Sequence, residues 1–315
     1  MSENKMMDLI PNLSPMLFFE EEVFDSKDYI YELKFDGARC LAYLFKDQTI
    51  LINKRKKNVS PTYPELSDIH ENCKVQCILD GEIIVMHNGK PNFYLLQKRA
   101  LLTDKFKIKL LMDKNPVTFV AFDILYYDDK LTLDLPLIER KNILFENITE
   151  SSRLVISRFI EKKGKDFFEL AKKQDLEGIV AKEKVSKYYS GKRSRVWLKM
   201  KVYQETDLII CGYVPSDYGM KDVILGDYDT NNNLFKVATV MTNKNKKEIM
   251  EYANNNPSNA LFEVDNEEVV WMKPYLVGTV QYMMKTNSGG LRQAVFKGLR
   301  DDKIASDLKS SKKIL

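Results

Sequence analysis

The chain has 315 residues, of which 44% are hydrophobic and 30% charged, and its formal net charge is +4. These values exclude a disordered or strongly basic chain and leave room for two globular domains. Four cysteines are too few for a disulfide scaffold, and neither a signal peptide nor an apolar run of about 20 residues is present, so we expect a cytoplasmic protein.

Strand-like and helix-like segments follow one another irregularly in the first two thirds of the chain. Short runs rich in β-branched and aromatic residues predict the strands, and apolar residues at helical spacing predict the helices between them. Because the two types do not alternate regularly, the pattern favours an α+β fold with antiparallel sheets and flanking helices. The predicted strands are 38–45, 50–53, 75–86, 117–127, 177–183 and 195–201, and the predicted helices are 92–106, 136–148 and 164–174.

The pattern of residue types along the sequence changes near residues 202–207. Beyond this point, strand-like runs surround one helical stretch at 245–255, and three asparagines at 231–233 predict a hairpin turn. Strands with a single helix in this length suit a small β-barrel such as an OB-fold. We therefore assign residues 1–203 to one domain and 204–315 to an OB-fold domain, with a helical or frayed tail after Asp302.

One lysine, Lys34, lies between Leu33 and Phe35, and Asp36-Gly37 follows Phe35. A lysine on an apolar strand is costly unless its amine has a use, although this stretch alone also fits a surface strand with a turn at Asp36-Gly37. Two further lysines, at 199 and 201, alternate on a predicted strand and can face one pocket. Their charges, together with partial burial, would favour the free amine of Lys34.

Two acidic residues are candidates for metal binding. Glu82 follows Asp80-Gly81, and Glu177 begins the segment EGIVAK. Their carboxylates are hard oxygen ligands of the kind that Mg²⁺ prefers, with Mn²⁺ as an alternative ion. The nearby His70, Cys73 and Cys77 do not have the spacing of a zinc site.

Six segments in order resemble the motifs of covalent nucleotidyltransferases, and most closely those of the ATP-dependent DNA ligases. The resemblance extends from Glu32 to Lys303 and is closest to a minimal two-domain form, similar to the bacterial end-joining ligase module. It implies that residues 1–203 are the adenylation (nucleotidyltransferase) domain. The segments are KFDGAR at 34–39, DGE at 80–82, AFDILYY at 121–127, EGIVAK at 177–182, GKRSRVWLKMK at 191–201 and LRQAVFKGLRDDK at 291–303.

The resemblance implies an activity and its partners. Lys34 would attack the α-phosphate of ATP to form a lysine-AMP intermediate, with Mg²⁺ as the metal. AMP would pass to the 5′-phosphate at a nick in duplex DNA, and the adjacent 3′-hydroxyl would then displace it. We expect a monomer without membrane contact, associated with the nucleoid if the source is bacterial; a Ku-like end-joining partner cannot be read from the sequence.

The resemblance also implies which residues contact ATP. The residues expected at the adenine are Glu32 and Phe122. Those expected at the ribose and phosphates are Arg39, Lys54, Glu82, Glu177, Arg193, Lys199 and Lys201. The OB-fold domain would move over ATP and place Arg292, Arg300 and Lys303 at the departing pyrophosphate.

Some features depart from the ligase pattern, and other functions are to be weighed. The usual serine-arginine pair after the first motif is replaced by Asn53-Lys54-Arg55, so either Lys54 or Arg55 takes the basic position. Ala294 replaces a proline common in the last motif.

The alternatives to a DNA ligase are an RNA ligase, a GTP-dependent mRNA capping guanylyltransferase, or a non-catalytic nucleic-acid-binding protein. The chain is also expected to lack the N-terminal DNA-binding domain of larger ligases.

Overall fold

The computed structural model describes residues 2–264, 268–286 and 289–311. Contacts divide the chain into two compact units, Met1–Val202 and Tyr203–Leu315. Each unit has hydrophobic clusters of its own. The helices within the described ranges are all too short or too polar to cross a membrane.

The first unit is built from two sheets with helices at their sides. Its helices are α1 (Ser2–Leu9), α2 (Phe93–Ala100), α3 (Lys105–Lys114), α4 (Leu137–Asn147) and α5 (Gly164–Lys173), with 3₁₀ turns at Ser60–Thr62, Pro64–Leu66 and Ile69–Asn72. Its strands are β1 (Leu17–Glu20), β2 (Tyr29–Leu33), β3 (Ala38–Leu44), β4 (Thr49–Asn53), β5 (Cys77–His87), β6 (Lys90–Pro91), β7 (Val117–Tyr127), β8 (Lys130–Leu131), β9 (Leu154–Ile156), β10 (Phe159–Glu161), β11 (Gly178–Glu183) and β12 (Arg193–Lys201).

The two sheets of this unit join segments that are far apart in sequence. One sheet has the order β1-β12-β11-β2-β10, in which β11 runs antiparallel to both β2 and β12. The other has the order β4-β3-β5-β7-β8, with β6 paired to β5 and β9 paired to β7. In the first sheet Leu33 lies opposite Ile179, and in the second Arg39 lies opposite Glu82. The registers therefore bring the first motif beside both acidic segments.

Close packing explains the glycine of the DGE segment. Gly81 lies on β5 between β3 and β7. A Cβ atom at this position would lie 2.5 Å from the Phe119 ring and 2.5 Å from the carbonyl oxygen of Val120. The segment is thus a central strand rather than a hairpin turn, and any larger residue at position 81 would separate β5 from β7.

The helix predicted over 92–106 is wrong in its extent. The structure has two helices instead, α2 and α3, and the chain leaves the helical path at Leu101. The cause is Asp104, whose carboxylate accepts a hydrogen bond of 2.9 Å from the backbone N–H of Lys107 and so caps α3. The helices predicted at 136–148 and 164–174 are confirmed as α4 and α5, with ends within a residue.

The second unit is mainly one antiparallel sheet. Its strands have the order β15-β14-β13-β17-β20, and β16 pairs with β13. The elements are β13 (Gln204–Ser216), β14 (Gly219–Tyr228), β15 (Leu234–Met241), α6 (Lys246–Asn255), β16 (Val270–Trp271), β17 (Leu276–Tyr282), β18 (Met284–Lys285), β19 (Leu291–Arg292), β20 (Val295–Ile304) and α7 (Ala305–Ser311).

Two details of the second unit were predicted from sequence. The hairpin turn at 231–233 is confirmed, because β14 and β15 pair antiparallel up to Tyr228 and Leu234. The Asp229 carboxylate holds this turn by accepting hydrogen bonds of 2.8 Å from the N–H groups of Asn231 and Asn233. Part of the tail is helical, as α7, and residues 312–315 lie outside the described residues.

The buried pair of Arg140 and Asp123 gives a test of the first unit. Both side chains are fully buried, and the guanidinium donates two hydrogen bonds of 2.8 Å to the carboxylate. Removing the carboxylate with Asp123→Ala leaves a buried cation without its counterion. We expect the free energy of unfolding in urea to fall by about 3–5 kcal/mol.

An exposed ion pair supplies the control for that measurement. Lys163 and Asp166 lie 3.9 Å apart with both side chains about three-quarters exposed. We expect Lys163→Ala to change the free energy of unfolding by less than about 0.5 kcal/mol. A similar small change for Asp123→Ala would show that the buried pair does not stabilise the unit.

Candidate active site

A small cleft opens in the first unit where β2, β3, β5 and β11 come together. Its walls mix aromatic and aliphatic groups with acidic and basic side chains. Such a lining, half apolar and half charged, suits a small charged ligand. The residues that line it are Phe18, Glu32, Leu33, Lys34, Phe35, Arg39, Glu82, Phe122, Val180 and Lys182.

Lys34 lies one residue beyond the end of β2, at the edge of this cleft. Its backbone N–H donates a hydrogen bond of 3.0 Å to the carbonyl oxygen of Gly178, which extends the pairing with β11. Its Nζ atom lies 2.7 Å from Oε1 of Glu177, and the two side chains are 18% and 6% exposed. The sequence placed Lys34 on the strand itself; the structure places it just past the last strand residue.

Gly37 allows the segment after Lys34 to approach β5. A Cβ atom at this position would lie 2.4 Å from the carbonyl oxygen of Ile83 and 2.6 Å from Cγ of Glu82. No side chain fits in that space, so the Lys-x-Asp-Gly pattern has a steric reason. The same approach brings Glu82 into the cleft beside Lys34.

Arg39 is fixed in the cleft by a buried carboxylate. Its guanidinium donates two hydrogen bonds of 2.7 Å to Asp80, which also accepts one of 2.7 Å from the Tyr188 hydroxyl. The guanidinium lies 4.2 Å from the centre of the Phe122 ring. Phe122 is 7% exposed and belongs to the hydrophobic core, while part of it lines the cleft. Its stacking on a purine stays a prediction.

Glu32 lies at the buried end of the cleft between two lysines. Its Oε1 atom is 2.8 Å from Nζ of Lys141 and 3.1 Å from Nζ of Lys182. Burial alone would raise the pKa of Glu32, but the two ammonium groups lower it below its ordinary value. For Lys182, burial lowers the pKa to about 8, against the opposing charge of Glu32. This carboxylate is therefore held ionised and directed toward the cleft.

The two predicted metal ligands are close enough to affect each other. Burial raises the pKa of Glu82 to about 8; the charges of Arg39 and Lys34 oppose this rise, and the charge of Glu177 adds to it. Burial also raises the pKa of Glu177, against the charge of Lys34. A site with two carboxylates that resist ionisation together would favour a cation between them.

The fit to a magnesium ion is partial. In the described ranges, no three His, Cys, Asp or Glu side chains are grouped to hold a metal ion. However, Oε2 of Glu177 is buried and has no hydrogen-bond partner among the described residues. Glu82 and Glu177 thus offer hard oxygen atoms that fit Mg²⁺ if water and phosphate oxygens complete its coordination.

Lys199 and Lys201 are two residues apart on β12, so their side chains lie on the same face of the strand. Their Nζ atoms lie 3.1 Å and 3.9 Å from Oε2 of Glu20 at the end of β1. Burial lowers the pKa of Lys201, and the charges of Lys199 and Lys34 lower it further. The structure therefore brings these two lysines and Lys34 into one electrostatic cluster, although neither Lys199 nor Lys201 is among the residues that line the cleft.

The basic residues predicted at the ribose and phosphates are distributed unequally. Arg39 lines the cleft, whereas Arg193 is exposed and its guanidinium donates a hydrogen bond to the carbonyl oxygen of Phe18. Lys54 and Arg55 are exposed in the turn after β4 and are not among the residues that line the cleft. The choice between Lys54 and Arg55 remains open.

The three residues of the last motif belong to the second unit. Arg300 and Lys303 share one carboxylate, with 2.8 Å and 2.6 Å to Oδ2 of Asp207. Burial would raise the pKa of Asp207, but hydrogen bonds from Lys303 and Thr279 lower it below its ordinary value. Arg292 lies on the short hairpin of β18 and β19. Their role at ATP stays a prediction.

Four residues near the site were not singled out from the sequence. Phe18 lines the cleft and its ring stacks on Trp197 with centroids 5.8 Å apart. Lys182 ends the EGIVAK segment, which was a usable signal. Lys141 lies in the middle of α4, and Glu20 ends a four-residue strand. Neither of these two positions carries a local pattern that sets it apart from an ordinary surface charge.

The fold and the cleft define the class of protein first. An α+β unit of two sheets, with a lysine and two carboxylates at one cleft, precedes a small antiparallel β-barrel unit. This is the architecture of covalent nucleotidyltransferases with an OB-fold domain, and the expected fold class is confirmed by the solved structures below.

The chain belongs to the ATP-dependent DNA ligase family. The family model "ATP dependent DNA ligase domain" matches residues 15–201, and the model "ATP dependent DNA ligase C terminal region" matches residues 216–303. The protein is therefore an enzyme of the DNA ligase type, which the comparisons support over an RNA ligase, a capping guanylyltransferase or a non-catalytic binding protein.

Several relatives give the extent of this similarity. The SPbeta prophage-derived DNA ligase-like protein LigB of Bacillus subtilis (strain 168) is 30% identical over 91% of this chain and 99% of that protein. The multifunctional non-homologous end joining protein LigD of Mycolicibacterium smegmatis is 29% identical over 94% of this chain, which spans 39% of LigD. A solved mycobacterial DNA ligase D, complexed with ATP and MES, is 26% identical with a TM-score of 0.56, covering 94% of this chain and 98% of that one.

The raised pKa of Glu82 predicts how stability depends on pH. With a pKa of about 8 in the folded protein and an ordinary value of 4.5, Glu82 keeps a proton that the unfolded chain has released. Its stabilising contribution is complete below about pH 4.5 and is lost as the pH rises to about 8. We expect the free energy of unfolding to fall by about 3–4 kcal/mol more in the wild type than in Glu82→Gln between about pH 5 and pH 8.

The measurement is urea unfolding of the two proteins at both pH values, without nucleotide or metal. Glu82→Gln keeps the size and polarity of the side chain but cannot ionise, so other titrating groups contribute equally to both proteins. Parallel pH dependences in the wild type and Glu82→Gln would show that Glu82 ionises normally.

Proposed function

We propose that the protein seals nicks in duplex DNA through a covalent lysine-AMP intermediate on Lys34. The observation that carries this proposal is the position of the Lys34 Nζ atom, which lies at the edge of a mixed polar and apolar cleft, 2.7 Å from Glu177. The family supplies ATP and DNA as substrates. The first domain would thus be the adenylation domain.

In the first step the Lys34 nitrogen attacks the α-phosphorus of ATP. A P–N bond forms, and the bond between the α-phosphorus and the bridging oxygen breaks to release pyrophosphate. The lysine must lose a proton, and Oε1 of Glu177 is an acceptor within hydrogen-bond distance. Because burial raises the pKa of Glu177, this carboxylate is a better base than an ordinary glutamate.

Other residues would hold the nucleotide during this step. We propose that Glu32 and Phe122 meet the adenine, that Arg39 meets the ribose, and that Lys199 and Lys201 hold the phosphates. Charged neighbours hold some of these side chains in place: the Asp80 carboxylate pairs with Arg39, and two lysines pair with Glu32. Side chains fixed in this way lose little freedom when the ligand arrives.

We propose Glu82 and Glu177 as the residues that hold Mg²⁺ when it is present. Bound Mg²⁺ would neutralise charge on the phosphate oxygens. The unpartnered Oε2 of Glu177 and the mutual pKa effects of the two carboxylates support this assignment.

In the later steps the nick replaces ATP as the partner of the enzyme. The 5′-phosphate at the nick attacks the phosphorus of lysine-AMP, so that the P–N bond breaks and a new diphosphate bond joins AMP to DNA. The 3′-hydroxyl then attacks the 5′-phosphate, and AMP leaves. We propose that a monomer in the cytoplasm carries out both steps, and that the chain supplies the ligation part of the work done by longer relatives such as LigD.

Labelling with ATP that carries a radioactive α-phosphate tests this proposal. The protein is first treated with pyrophosphate to remove any AMP already bound. We expect label on the denatured wild-type protein with ATP and Mg²⁺, and at least about 10³-fold less label on Lys34→Ala, since the nucleophile is absent. A chase with nicked duplex DNA should transfer the label more completely than a chase with nicked duplex RNA.

Lys46→Ala is the matched control, because Lys46 is an exposed lysine in the loop between β3 and β4. It should label as the wild type does. Label from GTP in preference to ATP would favour a capping guanylyltransferase, and nick sealing by Lys34→Ala would refute the assignment of the nucleophile.

A further inference from the structure

Glu20 faces the two lysines that are proposed to hold the phosphates of ATP. It is the last residue of β1, which runs parallel to β12 with Glu20 opposite Lys199. Its Oε2 atom lies 3.1 Å from Nζ of Lys199 and 3.9 Å from Nζ of Lys201. One carboxylate oxygen therefore serves two ammonium groups on the same face of one strand.

The lysines need a counterion at this place. Burial and the charge of Lys199 lower the pKa of Lys201, whereas the charge of Glu20 opposes that change. Two like charges two residues apart on a strand repel each other, and a carboxylate between them relieves the repulsion. A phosphate group, which also presents anionic oxygen atoms, would satisfy the same two lysines in the same way.

The surroundings of Glu20 allow it to leave. Its side chain is 44% exposed, and β1 lies at the end of the sheet order, with β12 as its neighbour. The pairing of β1 with β12 also shifts register between Phe18 and Phe19, just before Glu20. A side chain at an exposed strand end can turn toward water without disturbing a packed core.

We propose that Glu20 takes the place of a phosphate group in the nucleotide-free protein and that the triphosphate of ATP displaces it. This inference rests on the proposed role of Lys199 and Lys201 in holding phosphates. Glu20 is then a positioning residue. It holds both lysines in place before ATP arrives, and it weakens ATP binding because its ion pairs must be broken first.

This role makes a distinctive kinetic prediction. Glu20 acts only before the nucleotide is seated, so its removal changes the ATP concentration needed for half-maximal rate and leaves the maximal rate of lysine-AMP formation alone. A merely structural role would lower the maximal rate and the stability together.

Single-turnover formation of lysine-AMP at a series of ATP concentrations tests the inference, with protein cleared of AMP by pyrophosphate. For Glu20→Gln we expect the half-saturating ATP concentration to fall about 3- to 10-fold, with the maximal rate within about twofold of wild type. Glu20→Asp keeps the charge and should stay closer to wild type. Should Glu20→Gln fold poorly, Glu20→Ser serves the same comparison.

Glu21→Gln is the matched control. Glu21 is the next residue, is similarly exposed, and has Arg195 rather than the strand lysines as its ion-pair partner, at 3.7 Å. It should leave the half-saturating concentration unchanged. An unchanged or raised value in both Glu20→Gln and Glu20→Ser, or an equal fall in Glu21→Gln, would overturn the inference.

Two lysine variants separate this inference from the proposed function. Lys199→Met and Lys201→Met should each raise the half-saturating ATP concentration or lower the maximal rate of lysine-AMP formation. If both variants form lysine-AMP normally, the proposed phosphate role fails, and the inference fails with it. If they are impaired while Glu20→Gln behaves as wild type, the inference about Glu20 fails by itself.

Discussion

The ion pair of Lys34 and Glu177 depends on one strand register, and the rest of the site depends on that register too. Because β2 pairs with β11 so that Leu33 faces Ile179, the residues just outside each strand, Lys34 and Glu177, meet at the same end of the sheet. A shift of one residue would turn Glu32 away from the cleft and move Lys34 off Glu177. The register is set by apolar residues on the hidden face of the same strands, so the packing of the core determines where the Lys34 amine lies.

The first unit contains more buried charge than folding alone would favour. Asp80, Asp123, Arg140 and Lys141 are fully buried, and Glu32 is 2% exposed. Burying an ion pair seldom stabilises a protein relative to apolar groups of the same size, since desolvation costs about as much as the attraction returns. Buried ion pairs are useful where a charged side chain must be held in one orientation. Asp80 fixes the guanidinium of Arg39, and the two lysines fix Glu32, so the cleft presents oriented charge without reorganising.

The sequence predicted most helices and strands and the types of functional residue, but it did not predict how the strands lie beside one another in space. Short runs rich in β-branched and aromatic residues identified β3, β5, β7 and β11, because such side chains pack well on a buried pleated strand. The single helix predicted over 92–106 was wrong because the Asp104 cap outweighs continuous helical spacing. Proximity of Lys34, Glu82 and Glu177 followed from the resemblance, and local patterns alone carry no information on strand order. Phe18 and Lys141 were missed because a short strand near the N-terminus and a lysine within a helix look ordinary until tertiary contacts are known.

The charges around the cleft imply that nucleotide binding is an exchange of partners. In the described structure Lys34 is paired with Glu177, Arg39 with Asp80, and Lys182 with Glu32. A ligand anion that draws on any of these cations gains the difference between its own attraction and that of the carboxylate already present. The buried pairs, such as Arg39 with Asp80, are too costly to break, so they orient the ligand and remain intact. The more exposed pair at Lys34 is the one that can open, and it contains the nitrogen that is proposed to react. The difference in burial between these pairs therefore separates the residues proposed to position the nucleotide from the lysine proposed to be modified by it.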